Sequence, residues 1–259
     1  MIHGAFSDTE AMARETGFNT LAEEENFLVV YPEGMGLFGF LQHWNAGHCC
    51  GKAAKEHWDD IGFLNQVIEE VTDSLNVDRS RVYMAGFSNG AMLTYRYVSE
   101  NPWKVAAFAV VAGSPGGREH PEDPTWMIQE PSRPVPMILL HGDADDRVPY
   151  AGKTANEGES EREYTSVEDA IRFWLGVIPH ARLHSEGSLF SGAVGFRKWS
   201  DPQGDLVLEA YRLRGWGHQW PDAYFMRQLE EENPLSEFRG TQLIWSFFDR
   251  HSLPSGTVP

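Results

Sequence analysis

The chain has 259 residues, 38 acidic and 21 basic, and a formal net charge of −17. Hydrophobic residues make up 41% and aromatic residues 12%, which excludes a disordered chain, and no apolar run reaches the roughly 18 residues of a membrane span. So large an acidic excess also argues against binding nucleic acid through its phosphates, which takes a basic face.

The opening Met1-Ile2-His3-Gly4-Ala5-Phe6 has neither a charged n-region nor an apolar h-region, so no signal peptide is expected here. Phe27 to Tyr31, ended by Pro32, is an apolar run of strand length and reads as a buried strand. The only two cysteines, Cys49 and Cys50, are adjacent. They form no disulfide framework, and their redox state stays open. His43, His48, Cys49, Cys50, His57, Asp59 and Asp60 crowd one segment, but the spacing fits no zinc signature, so the expectation is a structured loop and no metal. Ile61, Leu64, Ile68, Val71 and Leu75 share one helical face, predicting a helix from Asp60 to Leu75 with Asp60 at its cap. The pair Asp59-Asp60 reads as a cap and a loop brace rather than an acid/base pair.

Arg81 to Ala85 predicts a strand, and Ala91, Met92, Tyr95 and Val98 mark a helix directly behind it. Val105 to Val111 and Val135 to Leu140 predict two more strands, and Val167 to Leu175 a helix. Leu206 to Leu213 is extended, and Gln242 to Phe248 is a closing helix. Glu157, Glu159, Glu161 and Glu163 mark Gly152 to Tyr164 as a solvated loop. Strands alternating with helices predict an α/β fold, a mostly parallel sheet covered on both faces, with one domain over residues 1–259.

Between the predicted strand at 81–85 and the helix after it lies Gly86-Phe87-Ser88-Asn89-Gly90, a G-x-S-x-G sequence in the strand–turn–helix setting of a nucleophile elbow. A turn this sharp forces an unfavourable backbone on the serine, and the glycines make room for it. Ser88 then stands above a helix N-terminus, where free N–H groups favour a developing negative charge. Serine needs a base, and the base an orienting acid. The acid belongs after a later strand, where His141-Gly142-Asp143-Ala144-Asp145-Asp146 offers three aspartates that spacing alone does not separate. The base belongs on a loop near the C-terminus, and Gly215-Trp216-Gly217-His218-Gln219-Trp220-Pro221 supplies His218. His251, after the last helix, is the weaker candidate.

These motifs, together with Val30-Tyr31-Pro32-Glu33-Gly34, Trp44-Asn45-Ala46-Gly47, Cys49-Cys50, Asp59-Asp60-Ile61-Gly62-Phe63 and Val148-Pro149-Tyr150, resemble the polyhydroxybutyrate depolymerase-like esterases and the feruloyl and acetylxylan esterases of carbohydrate esterase family one. The resemblance runs over nearly the whole chain. It implies the α/β-hydrolase fold and hydrolysis of hydroxyalkanoate, feruloyl or acetyl esters, small or oligomeric, with no cofactor. It places the nucleophile on Ser88, the acid on Asp145 and the base on His218. An oxyanion site would combine the N–H of Asn89 with that of Ala5. Trp44 and Asn45 would line the substrate cleft, and Trp216 and Trp220, which flank His218, would add an aromatic wall. Family members carry two outer strands and the body of a third before the His-Gly pair, so the resemblance also implies a sheet lacking its first strands and left with an open edge. Many are exported, which points to a secreted or periplasmic location. The same triad serves peptidases, and a fold of this kind also serves as a binding module when catalysis is lost.

Overall fold

The computed structural model describes residues 1–37, 40–120, 122–154 and 162–254. Its centre is a six-stranded sheet of β1 (Tyr83–Phe87), β2 (Ala107–Val111), β3 (Met137–Gly142), β4 (Arg182–Leu189), β5 (Val194–Ser200) and β6 (Leu206–Leu213), in the spatial order β4-β5-β6-β3-β2-β1. β6, β3, β2 and β1 run parallel, and β4 and β5 add an antiparallel extension. Around the sheet lie α1 (Thr9–Thr16), α2 (Phe18–Glu25), α3 (Asp60–Ser74), α4 (Asn89–Glu100), α5 (Val167–Val177) and α6 (Gly240–Phe248).

Strand parity divides the core in two. In β2, Phe108 and Val110 join Tyr95 of α4 and Trp174 of α5 on one face; Ala107, Ala109 and Val111 join Phe247 and Phe248 of α6 on the other. Met137 and Leu139 of β3 follow the first set, Ile138 and Leu140 the second. Because both faces are covered, these strands are continuous apolar runs rather than alternating ones. This is the α/β-hydrolase fold.

The expected elements fall within a few residues of those observed, with two departures. Phe27 to Tyr31 joins no ladder among the described residues. It lies across from β1, and a groove of about 690 Å³, lined by Val29, Val71, Tyr83, Ala85 and Trp245, runs between them. β1 is therefore the outermost strand of its sheet. Ile2 covers one end of it as a parallel bridge to Gly86, giving its N–H to Ala85 O (2.8 Å) and accepting from Phe87 N (3.1 Å). The second departure is at 152–164, where Lys153–Thr154 and Glu163–Tyr164 pair as short strands beside Gly116–Arg118 and Trp126–Met127; the remaining glutamates of that stretch lie outside the described residues.

The cap of α3 is Asp59, not Asp60: its carboxylate accepts from Gly62 N at 2.8 Å. Asp60 is instead buried and accepts the Asn45 N–H at 2.6 Å. Asp59→Ala should cost about 1 kcal/mol of stability, the usual worth of an N-cap, read from the urea midpoint.

Candidate active site

Three parallel strands, β1, β3 and β6, deliver the three expected side chains to one edge of the sheet. After β1 the chain turns at Ser88, whose φ of 53° and ψ of −122° lie in a region that non-glycine residues rarely occupy. The turn closes because its glycines lack Cβ atoms. One on Gly86 would run into the carbonyl of Gly90, and one on Gly90 into the carbonyls of Ile2 and His3. The Ser88 N–H is tied to Val111 O at 2.9 Å, and α4 starts at the next residue.

β3 and β6 are neighbours in register, with Gly142 opposite Leu213, so the loops that leave them are zipped together. Asp143 N–H reaches Leu213 O at 3.0 Å, and Ala144 N–H reaches Trp216 O at 3.1 Å. The Asp143 carboxylate accepts from Gly215 N at 2.7 Å and pairs with Arg212 at 2.9 Å. This clamp brings His218 back over the sheet edge until its ring lies 5.0 Å from that of Phe87, centroid to centroid.

His218 Nδ1 is then 2.7 Å from Asp145 Oδ2, and its Nε2 is 2.8 Å from Ser88 Oγ. A carboxylate only accepts, so Nδ1 carries the proton and Nε2 is left to accept from the serine hydroxyl. Asp145 is 5% exposed. Its other oxygen accepts the N–H groups of Arg147 (2.9 Å) and Val148 (2.8 Å). Burial alone would raise its carboxyl, but hydrogen bonds from His141 and His218, and their charge, outweigh it and hold the group well below the usual carboxylate range. The three aspartates thus separate: Asp145 meets the imidazole, Asp143 clamps the loop, and Asp146 is exposed.

The N–H of Asn89, at the first helical position, has no intrahelical acceptor. Gly4 packs against Ser88, where a Cβ on it would lie 3.2 Å from the Ser88 Cβ. The turn from Gly4 to Ser7 that follows uses the N–H of Phe6 on Gln42 O (2.9 Å) and that of Ser7 on Gly4 O (3.3 Å). Among the described residues the Ala5 N–H meets no acceptor.

The four cleft-lining candidates are not on the surface. Trp44 is 0% exposed, Trp220 1%, and Trp216 and Asn45 5% each. Each has a structural partner instead: Trp216 Nε1 donates to Gln219 O (3.0 Å), Trp220 Nε1 to Thr241 Oγ1 (3.0 Å), and Asn45 Nδ2 to Trp58 O (2.9 Å). Indole bulk wins burial, and each buried N–H finds an acceptor. Cys49 and Cys50 are joined by a disulfide. Among the described residues no cluster of three or more His, Cys, Asp or Glu side chains could hold a metal, and no helix is long and apolar enough to cross a membrane. His251 sits against Phe247, far along the chain from the elbow, and its backbone carbonyl accepts from Tyr83. Sequence reasoning missed His141, which is 2% exposed, has Nε2 2.7 Å from Val148 O and 3.4 Å from Asp145 Oδ2, and helps hold Asp145. Its place at the end of β3, four residues before the acid, was the available signal.

Residues 1–168 match the family described as Esterase PHB depolymerase. Over 237 residues the chain is 25% identical to NocK of Nocardia uniformis subsp. tsuyamanensis, a match that covers 87% of this chain and 65% of that protein. It is 30% identical over 154 residues to the bifunctional acetylxylan esterase/xylanase XynS20E of Neocallimastix patriciarum, covering 58% of this chain and 19% of the other. The chain therefore spans less than two thirds of the length of these relatives. The acetyl xylan esterase from Aspergillus awamori shares the fold, with a TM-score of 0.63 at 15% identity over 96% of this chain and 87% of that one.

Proposed function

We propose that this chain, a member of the Esterase PHB depolymerase family, is a carboxylic ester hydrolase in which Ser88, His218 and Asp145 carry out the hydrolysis through an acyl-enzyme. The reading rests on one observation, the His218 ring bonded on one side to Asp145 (2.7 Å) and on the other to Ser88 (2.8 Å). Ser88 Oγ attacks the ester carbonyl while Nε2 takes its proton. Asp145 keeps Nδ1 protonated and stabilises the imidazolium that forms. The carbonyl oxygen becomes an oxyanion held by the N–H groups of Asn89 and Ala5, at the positive end of α4. His218 then protonates the leaving alkoxide. A water repeats the sequence at the acyl carbon and frees the acid. The substrates proposed are hydroxyalkanoate, feruloyl or acetyl esters, in keeping with the family and with the names of its relatives.

A p-nitrophenyl phosphonate tests the nucleophile directly, because its phosphorus is attacked as an ester carbonyl is but the adduct does not turn over. Mass spectrometry should find one phosphonyl group per chain, on Ser88, with activity toward p-nitrophenyl acetate lost in step. A label on another residue accompanied by the same loss would sink the assignment.

A further inference from the structure

Trp44 is one of the largest fully buried side chains, yet its polar atoms do not point into a general core. Both of its N–H groups are spent on the two segments that carry the free N–H groups beside Ser88, and its carbonyl, which also accepts from Ala46 N and Cys50 N at 3.1 Å each, meets one of them as well. Its backbone N–H donates to Asn89 Oδ1 at 2.8 Å, and its carbonyl accepts from Asn89 Nδ2 at 3.1 Å. Its indole Nε1–H donates to His3 O at 2.9 Å, and the ring leans on the His3 imidazole at 4.9 Å between centroids. One residue thereby grips the start of α4 through a side-chain amide and the His3-Gly4-Ala5 turn through a peptide carbonyl.

The grip is anchored from behind. The next residue, Asn45, gives its N–H to Asp60 of α3 (2.6 Å), and its carbonyl accepts from Arg96 of α4 (2.8 Å). His3 is braced in turn, since its Nε2 accepts the Gly34 N–H at 3.0 Å. If the role were only to fill space, a bicyclic ring without the N–H would serve. An indole N–H is costly to bury without an acceptor, and here its acceptor is the carbonyl two residues before Ala5.

We propose that Trp44 is a positioning residue that sets the spacing between the Asn89 and Ala5 N–H groups and so tunes oxyanion stabilisation. This rests on the acyl-enzyme reading above. A donor pair pre-set for the tetrahedral oxyanion acts mainly in the transition state, so loosening it lowers kcat and leaves KM nearly unchanged.

Two variants test this. Trp44→Phe removes the N–H and part of the ring; replacing Trp44 with β-(3-benzothienyl)alanine keeps both rings and removes only the N–H. Each should lower kcat for p-nitrophenyl acetate by about tenfold, less than the loss of a whole oxyanion donor, with KM within about twofold. Affinity for a trifluoromethyl ketone, which forms a tetrahedral adduct, should fall by the same factor, while that for the unfluorinated ketone should hold. Unchanged kcat in the isostere overturns the proposal. So does a kcat loss that the trifluoromethyl ketone does not track, which marks Trp44 as packing alone. Should Trp44→Phe fail to fold, the volume-matched isostere decides. Phosphonate labelling of the wild-type chain is independent of Trp44, so failure of the Ser88 assignment is read separately.

Discussion

Ser88→Ala is expected to lower kcat for p-nitrophenyl acetate by about a millionfold while the chain stays folded, since removing the nucleophile of a triad costs about as much as removing all three members. His218→Ala should fall nearly as far, and the double variant little further, because hydroxyl and imidazole act as one unit across their 2.8 Å hydrogen bond. Circular dichroism and the urea midpoint serve as the controls for folding. Stability should move the other way when the site is filled by glycine. The Ser88 backbone, at φ 53° and ψ −122°, holds strain that glycine does not feel. Relief of about 1–3 kcal/mol, less the roughly 1 kcal/mol that glycine loses in chain entropy, leaves Ser88→Gly more stable than the wild type by about 1 kcal/mol and inactive. Equal activity in wild type and Ser88→Ala would end the nucleophile assignment. A Ser88→Gly chain less stable than the parent would mean that the elbow is not the strained element its backbone angles describe.

Where local chemistry alone decides structure, the sequence was readable. The run from Leu206 to Leu213 is bounded as read, and the need for Gly86 in the G-x-S-x-G turn follows from a steric contact within five residues, its approach to Gly90 O. The choice among Asp143, Asp145 and Asp146 is different in kind. All three follow the same strand, and the one that meets His218 is fixed by how a second loop, 73 residues further on, is clamped against the first. That pairing is a property of strand neighbours and is written in no window of the chain. The tryptophans mislead for a related reason. Proximity in sequence to His218 or to a cleft motif does not say which face a side chain turns to, and indole gains more from burial than from lining a wet cleft. Phe27 to Tyr31 is a third instance. Its residues have strand composition, but a strand exists only when a neighbouring edge is within hydrogen-bonding reach, and here a groove separates it from β1. The outer hairpin of β4 and β5 was missed because β4 is exposed along nearly all its length, so no apolar alternation marks it.

Asp145→Asn is expected to lower kcat by about ten-thousandfold with little loss of fold, through a change of tautomer rather than of geometry. An asparagine can keep its oxygen on the N–H groups of Arg147 and Val148, as Asp145 Oδ1 does now at 2.9 and 2.8 Å. Its amide N–H₂ then faces His218 and needs an acceptor, so Nδ1 gives up its proton and Nε2 takes one. Ser88 Oγ is left opposite a donor and has no base. The neighbours make the test specific. Asp146→Asn, at an exposed position, should leave kcat within about twofold. Asp143→Asn should fall between the two, since it weakens the hold on Gly215 and Arg212 but leaves the triad chemistry intact. Acid titration supplies a second readout. The folded-state carboxyl of Asp145 is held below its unfolded value, so as pH falls the unfolded chain binds the proton first. The stability it contributes is fully present above the unfolded pKa of about 3.9 and drains away as pH drops from about 5 toward the folded value. Urea midpoints measured from pH 7 to pH 3 should therefore fall more steeply in the wild type than in Asp145→Asn. Parallel acid limbs would show that the native state does not hold this carboxyl below its unfolded value, and the hydrogen bonding from His218 and His141 assigned to it would fail with them.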